Sequence, residues 1–231
     1  MKTNVFFVHS VTSLTGLFND LCRRHLSEVR IAHVADESLI QRALAAGGLT
    51  PDIVRGLCGH VASAQDAGAD VIQVTCSSLS PAVAVAQRLV SVPVLTVDEP
   101  VARWLVRRYA RIGVIATARS TLDPSVALVR RVAESAKRRV AVKPVFCEGA
   151  YDAFFAGDLE RHDAIVLDRL RGLMRRVDAV LLAQVSMARV ADRIPRADRR
   201  APVFSSPEPC VRHLARVVAR RRAGAGGGGR S

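Results

Sequence analysis

Half of the 231 residues are hydrophobic, enough to bury a core, yet no apolar run approaches the ~18 residues of a membrane span. The five cysteines are an odd number without CxxC spacing or a Cys/His cluster, which argues against a disulfide framework or a metal site and for reduced thiols. The formal charge of +13 is almost wholly arginine, the only lysines being Lys2, Lys137 and Lys143, and the arginines are scattered without interleaved aromatics, so nucleic acid is not an expected partner.

The start, Met1 to Ser10, has a short apolar stretch but no small-residue cleavage site and reads as a first strand, Val5–Val8, in a cytoplasmic protein. A helix over Leu14–Leu26 follows, then a strand over Val29–Val34, a helix over Pro51–Ala67, and a strand over Val71–Thr75. Next come a helix over Pro81–Leu89, a strand over Val94–Val97 and a helix over Val101–Tyr109. The second half continues with a strand over Ile112–Ala116, a helix over Leu122–Lys137 and a strand over Val140–Val145. A helix over Asp158–Arg176, strands over Ala179–Leu182 and Val203–Ser205, and a helix over Val211–Arg221 complete it. Short β-branched runs alternating with helical spacing are the mark of parallel sheets buried on both faces. The Gly-rich segment 223–231 is expected to be disordered.

Shifted against itself by 108 positions, the chain lays Ala69–Ser78 over Val177–Ser186 and Phe6–Leu14 over Val114–Leu122. One residue further out of register, Pro93-Val94-Leu95 with Glu99-Pro100 matches Pro202-Val203-Phe204 with Glu208-Pro209. Three matched blocks at nearly one offset predict two copies of one fold. The expected class is α/β, with two similar doubly wound, flavodoxin-like parallel sheets related by pseudo-twofold symmetry and a cleft between them. The last helix is expected to return to the first copy. That gives domains 1–98 plus 207–222, and 99–206.

All three blocks end at predicted strand C-termini, where ligands sit in such sheets. His9 is set against Thr117, and Cys76 against Gln184. Thr75-Cys76-Ser77-Ser78 is a strand end and a hydroxyl-rich turn before a predicted helix. Free N–H groups and the helix dipole there suit a carboxylate and lower a thiol pKa. Thr117, Ser120 and Thr121 form a similar turn, with His9, Thr12 and Ser13 as their counterparts in the first copy. Each has a plainer reading. Cysteine is often a buried hydrophobe, Ser and Thr often cap helices, and His9 has the alternative of a satisfied core histidine. Cys22, Cys58 and Cys210 fall in helical patterns as packing residues, and Cys147 is left open. No GxGxxG, Walker or GxSxG motif points to a nucleotide cofactor or a nucleophile-elbow hydrolase.

The chain resembles the aspartate/glutamate racemase superfamily, which includes hydantoin racemases, maleate isomerases and arylmalonate decarboxylases. The resemblance spans about residues 3–220. It is carried by Val74-Thr75-Cys76-Ser77-Ser78, Ile115-Ala116-Thr117 with Ser120-Thr121, Glu148-Gly149-Ala150, and Leu182-Ala183-Gln184-Val185-Ser186-Met187. It implies a cofactor-independent isomerase in which two cysteines exchange a proton at the carbon next to a carboxylate. Cys76 matches the first cysteine, and the second falls on Gln184. The family's usual Cys-Asn-Thr reads Cys76-Ser77-Ser78. His9, Ser10, Thr75, Ser77, Ser78, Thr117, Ser120, Thr121 and Ser186 are the candidate substrate-binding residues. Two-thiol racemisation is then expected only if Cys147, Ser186 or His9 takes over. Decarboxylation or cis-trans isomerisation by Cys76 alone, and a carboxylate-binding protein without catalysis, stay open. The resemblance also implies a homodimer or higher homo-oligomer.

Overall fold

The computed structural model describes residues 2–226. Its strands are β1 (Thr3–His9), β2 (Val29–Ala35), β3 (Val71–Val74), β4 (Val94–Thr96), β5 (Arg111–Ala116), β6 (Ala141–Phe146), β7 (Ala179–Leu182) and β8 (Val203–Ser205). Its helices are α1 (Leu14–His25), α2 (Glu37–Ala45), α3 (Pro51–Asp66), α4 (Val83–Ala86), α5 (Glu99–Arg108), α6 (Arg119–Ser135), α7 (Ala150–Phe155), α8 (Leu159–Met174), α9 (Ala188–Asp192) and α10 (Pro207–Gly226). They form two four-stranded parallel sheets, ordered β2-β1-β3-β4 and β6-β5-β7-β8. No helix among the described residues is long and apolar enough to cross a membrane.

Contacts divide the chain into two compact units. The first holds the chain up to Arg42, Leu49–Val97 and the segment from Pro207 on. The second holds Asp98–Ser206 with Ala43–Gly48. In the second unit alternate residues of β5 and β7 enter two separate cores. Ile112, Val114, Ala116, Ala179 and Leu181 pack against α5 and α6, while Ile115, Val180 and Leu182 meet Leu170, Leu173 and Met174 of α8. A central strand apolar on both sides is what a doubly wound sheet requires. In the first unit α10 packs on α1.

The two units repeat a hydrogen-bond device at the amino ends of their central strands. Asn4 N–H donates to Asp70 Oδ2 at 2.7 Å, and Arg111 N–H to Asp178 Oδ2 at 2.8 Å. The ladders also give the true correspondence of the copies. Val5 pairs with Val71 and Ile112 with Ala179, so β3 and β7 stand 108 residues apart but β1 and β5 only 107. Ser10 is therefore the counterpart of Thr117, and His9 that of Ala116. The expected pairing of His9 with Thr117 was one residue out of register.

Two further expectations are corrected. The helix over Pro81–Leu89 is broken into a 3-10 turn at Ser80–Ala82, the four-residue α4, and a second 3-10 turn at Gln87–Leu89. Gln87 there commits its side chain to β4, accepting from Val94 N–H at 2.8 Å and donating to Val92 O at 3.0 Å. The segment expected to be disordered from 223 is helical as far as Gly226, and 227–231 lie outside the described residues. Arg222 anchors that end on Thr3 Oγ1 at 3.1 Å and on the carbonyl of Glu28. Tertiary contact overrides the poor helix propensity of glycine.

The loop after β7 is held by a buried carboxylate. Asp163, only 2% exposed, accepts from His162 Nδ1 at 2.8 Å, from Arg189 Nη2 at 2.7 Å and from Arg193. Burial raises its pKa, but these hydrogen bonds outweigh burial and hold the carboxyl below the ordinary range. Arg189 and Arg193 are exposed enough to rehydrate, so Asp163→Ala is expected to cost about 3 kcal/mol, chiefly through the loss of its buried bonds. A fall in the melting temperature by several degrees checks this.

Candidate active-site residues at the carboxyl edges of the sheets

In each sheet the strand order reverses beside the central strand, and a doubly wound sheet opens a crevice at that point. In the first unit this point lies past the ends of β1 and β3, at His9-Ser10 and Thr75-Cys76. In the second it lies past β5 and β7, at Thr117 and Gln184.

After β3 the chain turns sharply. The Cys76 carbonyl accepts from Leu79 N–H at 3.1 Å and from Ser80 Oγ at 3.3 Å, which folds the turn back on itself. Cys76 is half-buried, while Ser77 and Ser78 are withdrawn from the surface. The long helix whose dipole was expected to act on the thiol is absent, since only a 3-10 turn and four-residue α4 follow.

At the matching position of the second unit stands Gln184, also half-buried. Its Oε1 accepts twice from one residue, from Thr117 N–H at 2.6 Å and from Thr117 Oγ1 at 2.9 Å. The side-chain carbonyl is thereby turned into the protein, and what the residue has to offer a ligand is its NH₂ group. Ser120 and Thr121 lie in the first turn of α6 and are buried, and Ser120 Oγ has no partner. Ser186 is half-buried in the 3-10 turn after Gln184.

Three groups considered as substitutes for a second thiol fare differently. Cys147 is fully buried in the α8 core, and burial pushes its thiol up to about 12, so it has no route to substrate. His9 is also fully buried, with Nδ1 2.9 Å from Thr75 Oγ1 and Nε2 2.8 Å from His33 Nδ1. Both ring nitrogens are engaged inside the protein. Ser186 alone of the three retains exposure. Thr75 is buried and donates to Val8 O at 3.2 Å, and Ser10, next to His9 in sequence, is buried as well. Sequence reasoning missed His33 and Asn19, which complete the chain of bonds behind His9, with His33 Nε2 3.1 Å from Asn19 Oδ1.

Two expected outcomes follow from burial alone. Cys22 is pushed up to about 12 by burial, Cys58 is raised by it, and Cys210 is fully buried. Iodoacetamide on the folded protein is therefore expected to alkylate Cys76 first, read by peptide mass spectrometry. Burial, and next the neighbouring His33, push His9 down from 6.5 to about 4. Between these values the unfolded chain binds a proton that the folded chain does not. Stability is then expected to fall as pH drops from 6.5 toward 4, and denaturant titrations of wild type against His9→Phe measure that share.

A family model described as Asp/Glu/Hydantoin racemase matches residues 5–222. Among solved structures, a glutamate racemase from Bacillus anthracis superposes with a TM-score of 0.75 at 16% identity, covering 95% of this chain and 82% of that one. A glutamate racemase from Francisella tularensis, in complex with D-glutamate, gives 0.76 at 14% identity over 96% and 82%. The allantoin racemase of Klebsiella pneumoniae gives 0.69 at 16% identity over 95% and 89%. Identities this low speak for the fold. No curated protein matches the chain significantly.

Proposed function

The chain belongs to the Asp/Glu/hydantoin racemase family, and from that premise we propose a cofactor-independent, racemase-like isomerase in which Cys76 moves a proton at the carbon next to a carboxylate. Gln184 acts as a hydrogen-bond donor and not as an acid or base. The observation that carries this reading is the pair of hydrogen bonds that Thr117 N–H and Oγ1–H donate to Gln184 Oε1, which commits the carbonyl end and presents the NH₂ end. An amide has no proton to exchange near neutral pH, but its N–H stabilises the oxygen of an enediolate as charge develops.

The other candidates take supporting roles in this reading. Half-buried Ser186 supplies a hydroxyl to the carboxylate, while Thr117 fixes Gln184. Ser10, Thr75 and His9 lie behind the edge. A small amino acid or other small carboxylic acid is the substrate class, and the D-glutamate held by the Francisella neighbour supports it. A second reading, decarboxylation followed by protonation from Cys76, is favoured by the same amide, since that reaction needs one proton donor only.

The test is proton NMR in deuterated buffer with aspartate, glutamate, hydantoins, maleate and substituted malonates, using wild type and Cys76→Ser. Loss of an α-proton signal that disappears in Cys76→Ser supports the proposal and names the substrate. Carbon dioxide release from a malonate would select the second reading. Turnover undiminished in Cys76→Ser would sink both.

A further inference from the structure

The buried polar chain behind Cys76 has no equivalent in the second unit. Counting by the ladders, His9 corresponds to Ala116, His33 to Pro144 and Thr75 to Ala183. The copy with a thiol at its edge thus holds two imidazoles and a hydroxyl where the copy with an amide holds three apolar groups. Polar groups in such a place are unfavourable unless every bond is made. His9 is walled in by aromatic rings: Phe7 stacks on His9 and His33 at 5.9 and 5.5 Å between ring centres, and Phe18 lies 5.7 Å from His9. One end of the chain, at His33 and Asn19, is half-buried and in reach of water. The other end, Thr75, is buried and immediately precedes Cys76.

The hydrogen bonds have two consistent directions. In one, Thr75 O–H donates to His9 Nδ1, His9 Nε2–H to His33 Nδ1, and His33 Nε2–H to Asn19 Oδ1. In the other, the Asn19 amide is turned so that its NH₂ donates to His33 Nε2. His33 Nδ1–H then donates to His9 Nε2, His9 Nδ1–H to Thr75 Oγ1, and Thr75 O–H to Val8 O. Both directions leave both imidazoles neutral, in keeping with burial lowering His9 and His33. Passing from the first to the second moves one proton along the Thr75–His9 bond and one along the His9–His33 bond. The Thr75 oxygen takes up a proton from the Cys76 side, and His33 Nε2 gives one up to water as the Asn19 amide turns, with no net change in the chain.

We propose that Thr75, His9 and His33 form a proton relay between solvent and the Cys76 turn, with Asn19 as the positioning residue that selects its direction. The inference rests on Cys76 being the proton-transfer group. The relay recharges or discharges that group from behind, without using the substrate side.

The test begins with histidine-selective ¹⁵N NMR of the full chain across the Cys76 ionisation midpoint. The relay predicts that the His9 and His33 ring shifts move with that midpoint and stop moving in Cys76→Ala. Ring shifts that stay flat through the midpoint overturn it. On the substrate found above, His33→Ala is expected to lower kcat on the order of a hundredfold with KM unchanged, and added imidazole to restore part of it. Full kcat in a folded His33→Ala, or a loss that imidazole leaves untouched, also overturns the relay. If His33→Ala does not fold, the wild-type NMR decides alone. If instead Cys76→Ala keeps its turnover, the functional reading fails, and the ring shifts still report separately on whether the chain moves protons.

Discussion

Cys76→Ala is expected to lower α-proton exchange by about 10²–10⁴-fold, the usual worth of a positioned acid/base group. The thiol is half-buried, so little packing is lost and the cost in stability is expected to stay below about 1 kcal/mol. Cys76→Ser separates chemistry from shape. The hydroxyl fills nearly the same space but gives up its proton far less readily, so the serine variant is expected to be as inactive as the alanine variant. Steady-state exchange rates together with thermal melts check both. A serine variant near wild-type rate would assign Cys76 a binding role in place of proton transfer.

Gln184 gives the second large effect, and it differs in kind. Gln184→Leu removes the NH₂ donor and leaves Thr117 N–H and Oγ1 without their shared acceptor, so kcat is expected to fall about 10²–10³-fold. Gln184→Cys puts a titratable group where the first unit has its own thiol. That variant is expected to invert configuration faster than wild type even where its total exchange is slower. Chiral chromatography of the product after a fixed extent of exchange measures this. Inversion unchanged in Gln184→Cys would mean that residue 184 has no part in the stereochemistry.

The strands were legible because strands buried on both faces leave the same mark: short β-branched runs with turn residues at their ends. Val71–Val74 and Ala179–Leu182 carry it plainly. What the repeat does not carry is the register of its first block. Matching Phe6–Leu14 by residue type set His9 over Thr117, whereas the ladder sets Ser10 there. In a strand one residue turns a side chain to the opposite face, so the slip concealed that His9 is buried with both ring nitrogens engaged by Thr75 and His33. His33 and Asn19 carry no local signal. Their meaning arises only when β2 is laid beside β1 and α1 across them. Asp163 reads along α8 as one more charge on a solvated face and becomes an anchor only once Arg189 and Arg193 meet it. The orientation of Gln184 likewise comes from Thr117, 67 residues away. Local pattern gives elements and edges, and the chemistry between edges waits on pairing.

The most direct test of a site with one proton-transfer thiol is to start from one enantiomer of the substrate in deuterated buffer and follow deuterium uptake and inversion in the same sample. A single thiol at Cys76 with an amide at Gln184 predicts uptake that outruns inversion, with both lost in Cys76→Ala. Inversion keeping pace with uptake from either enantiomer would require an acid on each face and would contradict it.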